Sequence, residues 1–179
     1  MAQVTVVYAH PYPRRSIGCK ALVDAVSTLD GVDVRAIYTL YPDFDIDVGA
    51  ERAALEGSGL VVLLHPIYWY SVPGMLKHYF DVVLTKGWAY GEGTTALKGK
   101  DCLWAVTTGG DDESYSARGR HHHPFEHFVA PVEETLRYCG MRWLEPFVLH
   151  ASHDLGSQGL LQDEADRLKR RISDWQAKP

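Results

Sequence analysis

The chain has 179 residues, of which 46% are hydrophobic and 23% charged, and its formal net charge is −5 at neutral pH. This length and composition fit one globular domain with a sizeable core. The negative charge argues against the basic surface that nucleic-acid binding requires, so we expect no nucleic-acid partner.

The cysteines and the N-terminal segment indicate a reducing compartment. Cys19, Cys102 and Cys139 are an odd number without a CxxC pair, so we expect no disulfide framework. The opening MAQVTVVYAHP has neither a basic nor a long apolar segment, so we expect no signal peptide. The longest aliphatic run, Leu60 to Leu64, is too short to span a bilayer. The sequence therefore predicts a cytoplasmic protein.

The first predicted elements alternate between strands and helices. QVTVVYA, residues 3–9, is short and β-branched, which predicts a strand. Residues 16–29 have apolar side chains at helical spacing, and Ser16 is a candidate N-cap. VDVRAIYTL, residues 32–40, predicts a second strand, and a short helix over residues 51–56 follows.

The middle of the chain continues the alternation. LVVLLH, residues 60–65, is apolar throughout, as is typical of a central parallel strand covered on both faces. Pro73 suits the first turn of a helix with a broad apolar stripe that reaches Leu84. CLWAVT, residues 102–107, predicts a fourth strand, and a helix from about residue 131 to residue 139 comes next.

The last elements complete a recognisable fold class. WLEPFVLH, residues 143–150, predicts a fifth strand in which Pro146 indicates an edge position or a bulge. An amphipathic helix over residues 161–175 ends the chain. We predict one α/β domain over residues 1–179, a flavodoxin-like doubly wound fold. Its five-stranded parallel sheet has the order 2-1-3-4-5, with helices on both faces.

In such a sheet, ligands bind at the carboxyl ends of the strands. Three loops should therefore carry the site: AHPYPRRSIGC after strand 1, HPIYWYSVPG after strand 3, and TTGGDDESYSARGRHHHP after strand 4. The chain has no Walker motif, and no GxGxxG follows strand 1, which disfavours a nucleoside triphosphate or a typical dinucleotide site.

The first loop ends at the N-terminus of a helix, where free N–H groups and the helix dipole attract an anion. His10, Ser16 and Arg14 or Arg15 could add donors to a phosphate. The alternative is that Ser16 only caps the helix while the two arginines are solvated.

The second loop presents three consecutive aromatic residues, Tyr68, Trp69 and Tyr70, directly after a buried strand. Not all three can point into the core. A planar heteroaromatic ligand would gain from such surfaces. The alternative is that these rings pack over the edge of the sheet.

In the third loop, Gly109 and Gly110 have no Cβ, so the polar edge of a ligand can approach their backbone closely. The alternative is an ordinary turn. Three adjacent histidines cannot all face one metal ion, and Cys102 and Cys139 fall in buried elements, so we predict no metal site. Among the remaining histidines, we expect His150 to be a structural or surface residue.

Together the three loops favour a planar ligand that carries a phosphate, a description that flavin mononucleotide (FMN) fits. The segments YAHPYPRRS, LYPDFDID, HPIYWYSVPGMLKHYFDVVLTKGWAYG, ALKGK and WAVTTGG resemble the flavodoxin-like NAD(P)H:quinone oxidoreductases. The resemblance covers nearly the whole chain. It is closest to the small ancillary subunit of bacterial glutathione-gated potassium-efflux systems.

The resemblance implies a homodimer with one FMN per subunit, FAD being less expected. NADPH or NADH would reduce the flavin, and a quinone would reoxidise it. It also implies a possible partner, a potassium–proton antiporter at the cytoplasmic face of the inner membrane. The residues that match the family's cofactor-binding segments are His10, Ser16, Ile17, Gly18, Cys19, Ile67, Tyr68, Trp69, Tyr70, Thr107, Thr108, Gly109 and Gly110. Cys19 stands where relatives often have asparagine.

The resemblance also assigns catalytic residues to the third loop. A tyrosine and a histidine follow TTGG at fixed distances in the quinone reductases, and Tyr115 and His121 have those spacings here. Donors at these positions would stabilise negative charge on the reduced flavin, as preorganised donors stabilise an oxyanion. A one-electron carrier is the remaining alternative, although such carriers are usually more acidic than −5.

Overall fold

The computed structural model describes residues 3–94 and 96–178. Its strands are β1 (Val4–Tyr8), β2 (Val32–Ala36), β3 (Leu60–Pro66), β4 (Asp101–Thr107), β5 (Arg142–Trp143) and β6 (Phe147–Leu149). Its helices are α1 (Gly18–Val26), α2 (Ile37–Leu40), α3 (Val48–Gly57), α4 (Gly74–Val83), α5 (Glu126–Tyr138), α6 (Ser152–Ser157) and α7 (Leu161–Gln176). Met1, Ala2, Thr95 and Pro179, which the predicted domain includes, lie outside the described residues.

The strands form one parallel sheet in the order β2-β1-β3-β4-β5, with β6 also paired to β4. The predicted fold class and strand order are confirmed. The fifth position is shared by two short strands because Pro146, which cannot donate to the ladder, lies between them. Of the two alternatives predicted from this proline, the edge position is confirmed.

Two apolar layers cover the faces of the sheet, and β3 shows how. Val61 and Leu63 pack with α3, α4 and α5, whereas Leu60, Val62 and Leu64 pack with α1 and α7. Successive side chains of a strand point to opposite faces, so a strand covered on both faces is apolar at consecutive positions, as Leu60 to Leu64 are. All seven residues of β3 are buried.

The second strand is shorter than the sequence predicts. β2 ends at Ala36, which pairs with Tyr8, the last residue of β1. Because the partner strand ends there, the chain turns into the single-turn helix α2 instead of extending to Leu40. The Tyr38 hydroxyl then accepts a hydrogen bond from the backbone N–H of Met75 at the start of α4, at 3.0 Å.

The helix predicted from about residue 131 begins at Glu126 and contains Pro131 in its interior. Its first turn is stabilised by short-range bonds from His127 N–H to the Pro124 carbonyl and from Phe128 N–H to the Phe125 carbonyl. The earlier start carries Phe128 into contact with the aromatic residues of the preceding loop. The short helix α6 was not predicted. No helix among the described residues has the length and apolar character needed to cross a membrane.

Candidate functional site

A cavity of about 320 Å³ lies at the carboxyl ends of β1, β3 and β4, where the fold predicts a ligand. We call it the edge cavity. Ten of the thirteen predicted cofactor-binding residues line it: His10, Ser16, Ile17, Gly18, Cys19, Ile67, Tyr68, Thr107, Thr108 and Gly109. Its other lining residues are Tyr12, Arg15, Pro66, Ser152 and His153. Trp69, Tyr70 and Gly110 lie outside this lining.

One end of the edge cavity is the N-terminus of α1. The N-cap residue of α1 is Ile17, not Ser16 as predicted. The Ser16 hydroxyl nevertheless accepts a hydrogen bond from the backbone N–H of Lys20, at 3.1 Å. The backbone N–H groups of Gly18 and Cys19, which precede Lys20, belong to the first turn of α1 and therefore have no acceptor within the helix. Arg15 is the one of the two arginines that lines the cavity. This end can therefore offer backbone donors and a cation to an anionic group.

Close packing fixes the start of α1 against β4 and α6. A Cβ atom at Gly18 would lie 2.7 Å from Cβ of Ser152 and 3.2 Å from Cγ2 of Thr107. The Cys19 thiol lies 3.1 Å from the Thr107 hydroxyl, and burial raises its pKa to about 12. Cys19 is thus a neutral packing residue, and it is inert towards oxidation or alkylation at neutral pH.

His10 at the end of β1 is neutral at pH 7 and has a defined tautomer. Its Nδ1 accepts a hydrogen bond from Tyr12 N–H at 3.0 Å, so Nε2 carries the proton. Burial lowers the pKa of the imidazole below its usual range. The ring meets that of Tyr68 edge to face, with centroids 6.0 Å apart. His10 can therefore supply a neutral donor to a ligand.

The Tyr8 hydroxyl is a buried polar atom without a hydrogen-bond partner among the described residues. Burial raises its pKa, and both the Ser16 hydroxyl and the Cys19 thiol are near enough to affect it. An unsatisfied buried hydroxyl costs about 1–3 kcal/mol. A polar ligand group next to the start of α1 could supply the hydrogen bond that the Tyr8 hydroxyl lacks.

His65 supports the site from beneath. It is fully buried at the end of β3, where its Nε2 accepts a hydrogen bond from Trp104 Nε1 at 2.8 Å. Its Nδ1 donates to the carbonyl of Pro66, a lining residue, at 2.9 Å. Burial lowers the pKa of His65 to about 4, so the imidazole is neutral. The hydrogen bonds fix both the ring and the Pro66 carbonyl.

The loop of residues 67–71, here called the aromatic loop, is a tight turn in an uncommon conformation. Tyr68 and Ser71 exchange two backbone hydrogen bonds of 3.1 Å, and Trp69 and Tyr70 both have positive φ, 50° and 64°. These angles match a type I′ turn, which normally contains Asn and Gly. Trp69 is 92% exposed. The turn thus presents a large bare ring at a cost in backbone strain, which points to a functional surface.

The TTGG turn is held from three sides. Thr108 N–H donates to the Leu149 carbonyl, and the Thr108 hydroxyl donates to the Gly110 carbonyl at 2.7 Å. Ala151 and Ser152 N–H groups donate to the carbonyls of Gly110 and Thr108. A Cβ at Gly109 would meet no atom within 4 Å. The backbone at Gly109 is therefore rigid and open on the side where its side chain would be.

The two predicted catalytic residues lie in the loop of residues 110–124, the rim loop. Tyr115 is buried, and its ring centroid lies 4.5 Å from that of His121. His121 Nδ1 lies 3.3 Å from the Tyr70 hydroxyl. A Cβ at Gly110 would lie 3.1 Å from His121 Nε2. The structure thus joins Tyr115 and His121 to the aromatic loop, beside the edge cavity and not within its lining.

His150 contacts the site, whereas the sequence placed it among structural or surface residues. Its Nδ1 lies 3.0 Å from the Thr108 hydroxyl, and its ring centroid lies 5.3 Å from that of Tyr115. The available signal was its position as the last residue of the fifth predicted strand, at the same edge of the sheet. Within the described residues, no three His, Cys, Asp or Glu side chains are arranged to hold a metal ion.

Comparisons with known proteins agree with this architecture. Residues 2–172 match a family described by a flavodoxin-like fold. The chain is 45% identical over 173 residues to the glutathione-regulated potassium-efflux system ancillary protein KefF of Enterobacter sp. (strain 638), with 97% of each chain covered. The chain belongs to the flavodoxin-like family.

Solved structures add a ligand to this comparison. General stress protein 14 of Treponema denticola, crystallised in complex with FMN, is 32% identical with a TM-score of 0.89. The match covers 96% of this chain and 98% of that one. An NADPH-quinone reductase from P. pentosaceus has a TM-score of 0.84 at 24% identity, covering 94% of this chain and 96% of that chain, and supports the fold alone.

The residues present fit FMN by their own chemistry. The start of α1 and Arg15 suit a phosphate, and the unpartnered Tyr8 hydroxyl suits a nearby polar group. The open face at Gly109 and the exposed ring of Trp69 suit a flat heteroaromatic system. The start of α1, Arg15 and Gly109 line the edge cavity, and Trp69 follows the lining residue Tyr68 in the adjacent aromatic loop.

Proposed function

We propose that this protein is an FMN-dependent NAD(P)H:quinone oxidoreductase that transfers hydride in a ping-pong cycle. One observation carries the proposal: the edge cavity joins a helix N-terminus to the open Gly109 backbone and lies next to a strained aromatic turn. The relative of 32% identity that was crystallised with FMN supports the choice of cofactor. FAD is the less favoured form.

In this proposal different segments of the chain bind different parts of the cofactor. His10 and the segment Ser16 to Cys19 hold the phosphate and the ribityl chain, and the segments Ile67 to Tyr70 and Thr107 to Gly110 hold the ring. Bound FMN would accept a hydride from NADPH or NADH and deliver two electrons to a quinone. The edge cavity and the aromatic loop keep the ring face accessible to each substrate in turn.

Tyr115 and His121 act in this proposal as donors beside the ring. Hydride transfer leaves negative charge on the cofactor, and preorganised donors stabilise such charge. Burial raises the pKa of Tyr115, while the Thr108 hydroxyl lowers it. Tyr115 therefore stays protonated at neutral pH and available as a donor. His121 is held towards it by contacts with Gly110 and Tyr70.

Two half-reactions test the proposal. Stopped-flow mixing of the FMN-loaded protein with NADPH or NADH should bleach the flavin absorbance, and a benzoquinone should restore it. A protein that binds FMN but is bleached by neither nicotinamide would contradict the proposed activity.

We also propose a homodimer, because a large groove lies next to the candidate site. A cavity of about 700 Å³ between α4 and α5 begins at Ser71 of the aromatic loop and is lined by Phe80, Leu84 and Tyr138. Tyr138 is 72% exposed in the single chain. Sedimentation should give twice the chain mass, and Tyr138→Glu should shift it to that of one chain.

A second candidate function is regulation of a potassium–proton antiporter at the cytoplasmic face of the membrane. The 45% identity to proteins named as ancillary to glutathione-regulated potassium efflux favours it. It is compatible with reductase activity. Co-purification with such a transporter, and potassium efflux that depends on this protein, would support it; efflux unchanged by deletion of the protein would contradict it.

A further inference from the structure

The turn between β6 and α6, residues 150–152, is bonded to the TTGG turn through its backbone, and we refer to it as the β6–α6 turn. The N–H groups of Ala151 and Ser152 donate to the carbonyls of Gly110 and Thr108, at 2.9 and 3.0 Å. Ala151 has a positive φ of 49°, which is strained for a residue with a Cβ. Strain of this kind persists where surrounding contacts hold the backbone in place.

The β6–α6 turn also contacts the other end of the edge cavity. Ser152 is buried and lines the cavity. A Cβ at Gly18, the first residue of α1, would lie 2.7 Å from Cβ of Ser152. The β6–α6 turn therefore connects the TTGG turn, on the proposed ring side, to the start of α1, on the proposed phosphate side.

The side chain of His150 adds a hydrogen bond whose direction is fixed by its neighbours. The Thr108 hydroxyl lies 2.7 Å from the Gly110 carbonyl, and a carbonyl has no proton to donate, so the single hydroxyl proton of Thr108 lies in this bond. The Nδ1 atom of His150 lies 3.0 Å from the same hydroxyl oxygen. Nδ1 is therefore the donor, and neutral His150 carries its proton there. The bonds run in series from His150 through Thr108 to Gly110.

The other ring nitrogen of His150 takes no part in this series. Nε2 lies 3.5 Å from the exposed Asp112 carboxylate. Burial lowers the pKa of His150 below its usual range, and the nearby Asp112 and Asp111 raise it by less, so the imidazole is neutral at pH 7. With the proton on Nδ1, neutral His150 has a lone pair at Nε2 and cannot donate to Asp112. The contribution of His150 to the site therefore comes from Nδ1.

We propose that His150 is a positioning residue that holds the TTGG turn in the shape that receives the flavin ring, through the Thr108 hydroxyl and the Gly110 carbonyl. This inference rests on the proposed function, in which the segment from Thr107 to Gly110 holds the ring. His150 is not one of the residues that line the edge cavity, so it acts through Thr108 and does not touch the cofactor.

Loss of the Nδ1 donor would loosen the TTGG turn. Thr108 is 2% exposed, so water cannot readily replace the missing donor at its oxygen. The hydroxyl can then rotate away from the Gly110 carbonyl. On its other side Gly110 is closely packed, since a Cβ there would lie 3.1 Å from His121 Nε2 and 3.5 Å from Tyr115 Cε2. A shift of Gly110 would therefore also move the turn relative to the two proposed donors.

Two substitutions separate the two ring nitrogens of His150. In His150→Asn the side-chain amide nitrogen can take the place of Nδ1, whereas in His150→Gln it reaches the place of Nε2. Both side chains are polar and neither titrates, so a role that needs only a polar side chain would not distinguish them. The proposal predicts that Asn replaces His150 and that Gln does not.

The protein without added flavin tests the hydrogen bonds. Nitrogen-15 NMR of the histidine rings should place the proton of neutral His150 on Nδ1. Amide hydrogen exchange at Ala151 and Ser152, which donate to the TTGG turn, should stay at the parental rate in His150→Asn and become about tenfold faster in His150→Gln. A proton on Nε2, or equal exchange rates in the two variants, would overturn the proposal whether or not the protein binds FMN.

Titration with FMN tests the positioning role. The dissociation constant should stay within about twofold of the parent value in His150→Asn and rise by about tenfold in His150→Gln, the effect of one lost hydrogen bond. Asp112→Asn and His127→Gln, at two exposed positions, are controls that should match the parent, because neither removes the Nδ1 donor. Parental affinity in His150→Gln would overturn this proposal and leave the proposed function standing, whereas a parent protein that binds no FMN would overturn both.

Discussion

Two regions of the site are built on opposite principles. The cavity floor, formed by the ends of β1, β3 and β4 and the start of α1, is buried and closely packed, as the 2.7 Å approach at Gly18 shows. The rim, formed by the aromatic loop and the rim loop, contains a bare Trp69 and three non-glycine residues with positive φ. The contrast suggests that the floor sets stability and cofactor affinity, while the rim sets the reaction with substrates.

The largest effect expected of the floor is a pH dependence of folding that comes from His65. Its pKa is about 4 in the folded protein and about 6.5 in the unfolded chain. Between these values the unfolded state binds more protons, so stability is fully present above pH 6.5 and is lost as the pH falls towards 4. The loss should amount to about 3 kcal/mol. Urea unfolding at pH 7 and pH 4.5 measures it, and His65→Asn should flatten the difference.

The next effect is the close approach at Gly18. Gly18→Ala would force a Cβ into Ser152 and should cost about 1–3 kcal/mol of folding free energy, together with most of the FMN affinity. Gly57→Ala is the matched control, since a Cβ there meets no atom within 4 Å. Thermal unfolding and fluorescence titration with FMN give the two quantities. If Gly18→Ala lowers the stability but leaves the FMN affinity unchanged, the cavity floor is not part of the FMN-binding site.

A substitution in the rim should slow the reaction and leave FMN affinity largely unchanged. Tyr115→Phe removes one donor beside the ring, which should slow flavin reduction by about 10–100-fold while FMN affinity changes little. His121→Gln should slow the same step. Stopped-flow reduction by NADPH measures both variants. Unchanged reduction rates in both would remove Tyr115 and His121 from the mechanism.

The smallest effect concerns strain in the aromatic loop. Trp69→Gly removes the backbone strain of a non-glycine residue with positive φ and should stabilise the fold by about 1 kcal/mol. The same substitution should weaken FMN binding. Urea unfolding and FMN titration measure the two changes. A Trp69→Gly protein that is less stable than the parent would show that the exposed ring serves folding, contrary to the division between floor and rim.

The same division explains what the sequence could predict. The floor follows from strand pattern and topology, so ten predicted cofactor-binding residues do line one cavity. The rim depends on tertiary contacts that no local pattern encodes. The position of His150 beside Thr108 needs β6 to pair with β4, and Thr108 is 42 residues away in sequence. Sequence periodicity therefore could not identify it.

The element ends show the same limit. The β-branched residues after Ala36 predict strand, yet the strand ends because β1 offers no further partner. Pro131 predicts a helix start, yet contacts of Phe125 and Phe128 with Tyr115 hold an earlier turn in place. In both places tertiary contacts outweigh local propensity.

The central claim is that the edge cavity binds a flavin, and titration of the protein with FMN tests it most directly. The account predicts a yellow complex with one FMN per chain, quenched flavin fluorescence, and a large loss of affinity in Gly18→Ala but not in Gly57→Ala. A protein that stays colourless after incubation with FMN or FAD would contradict it.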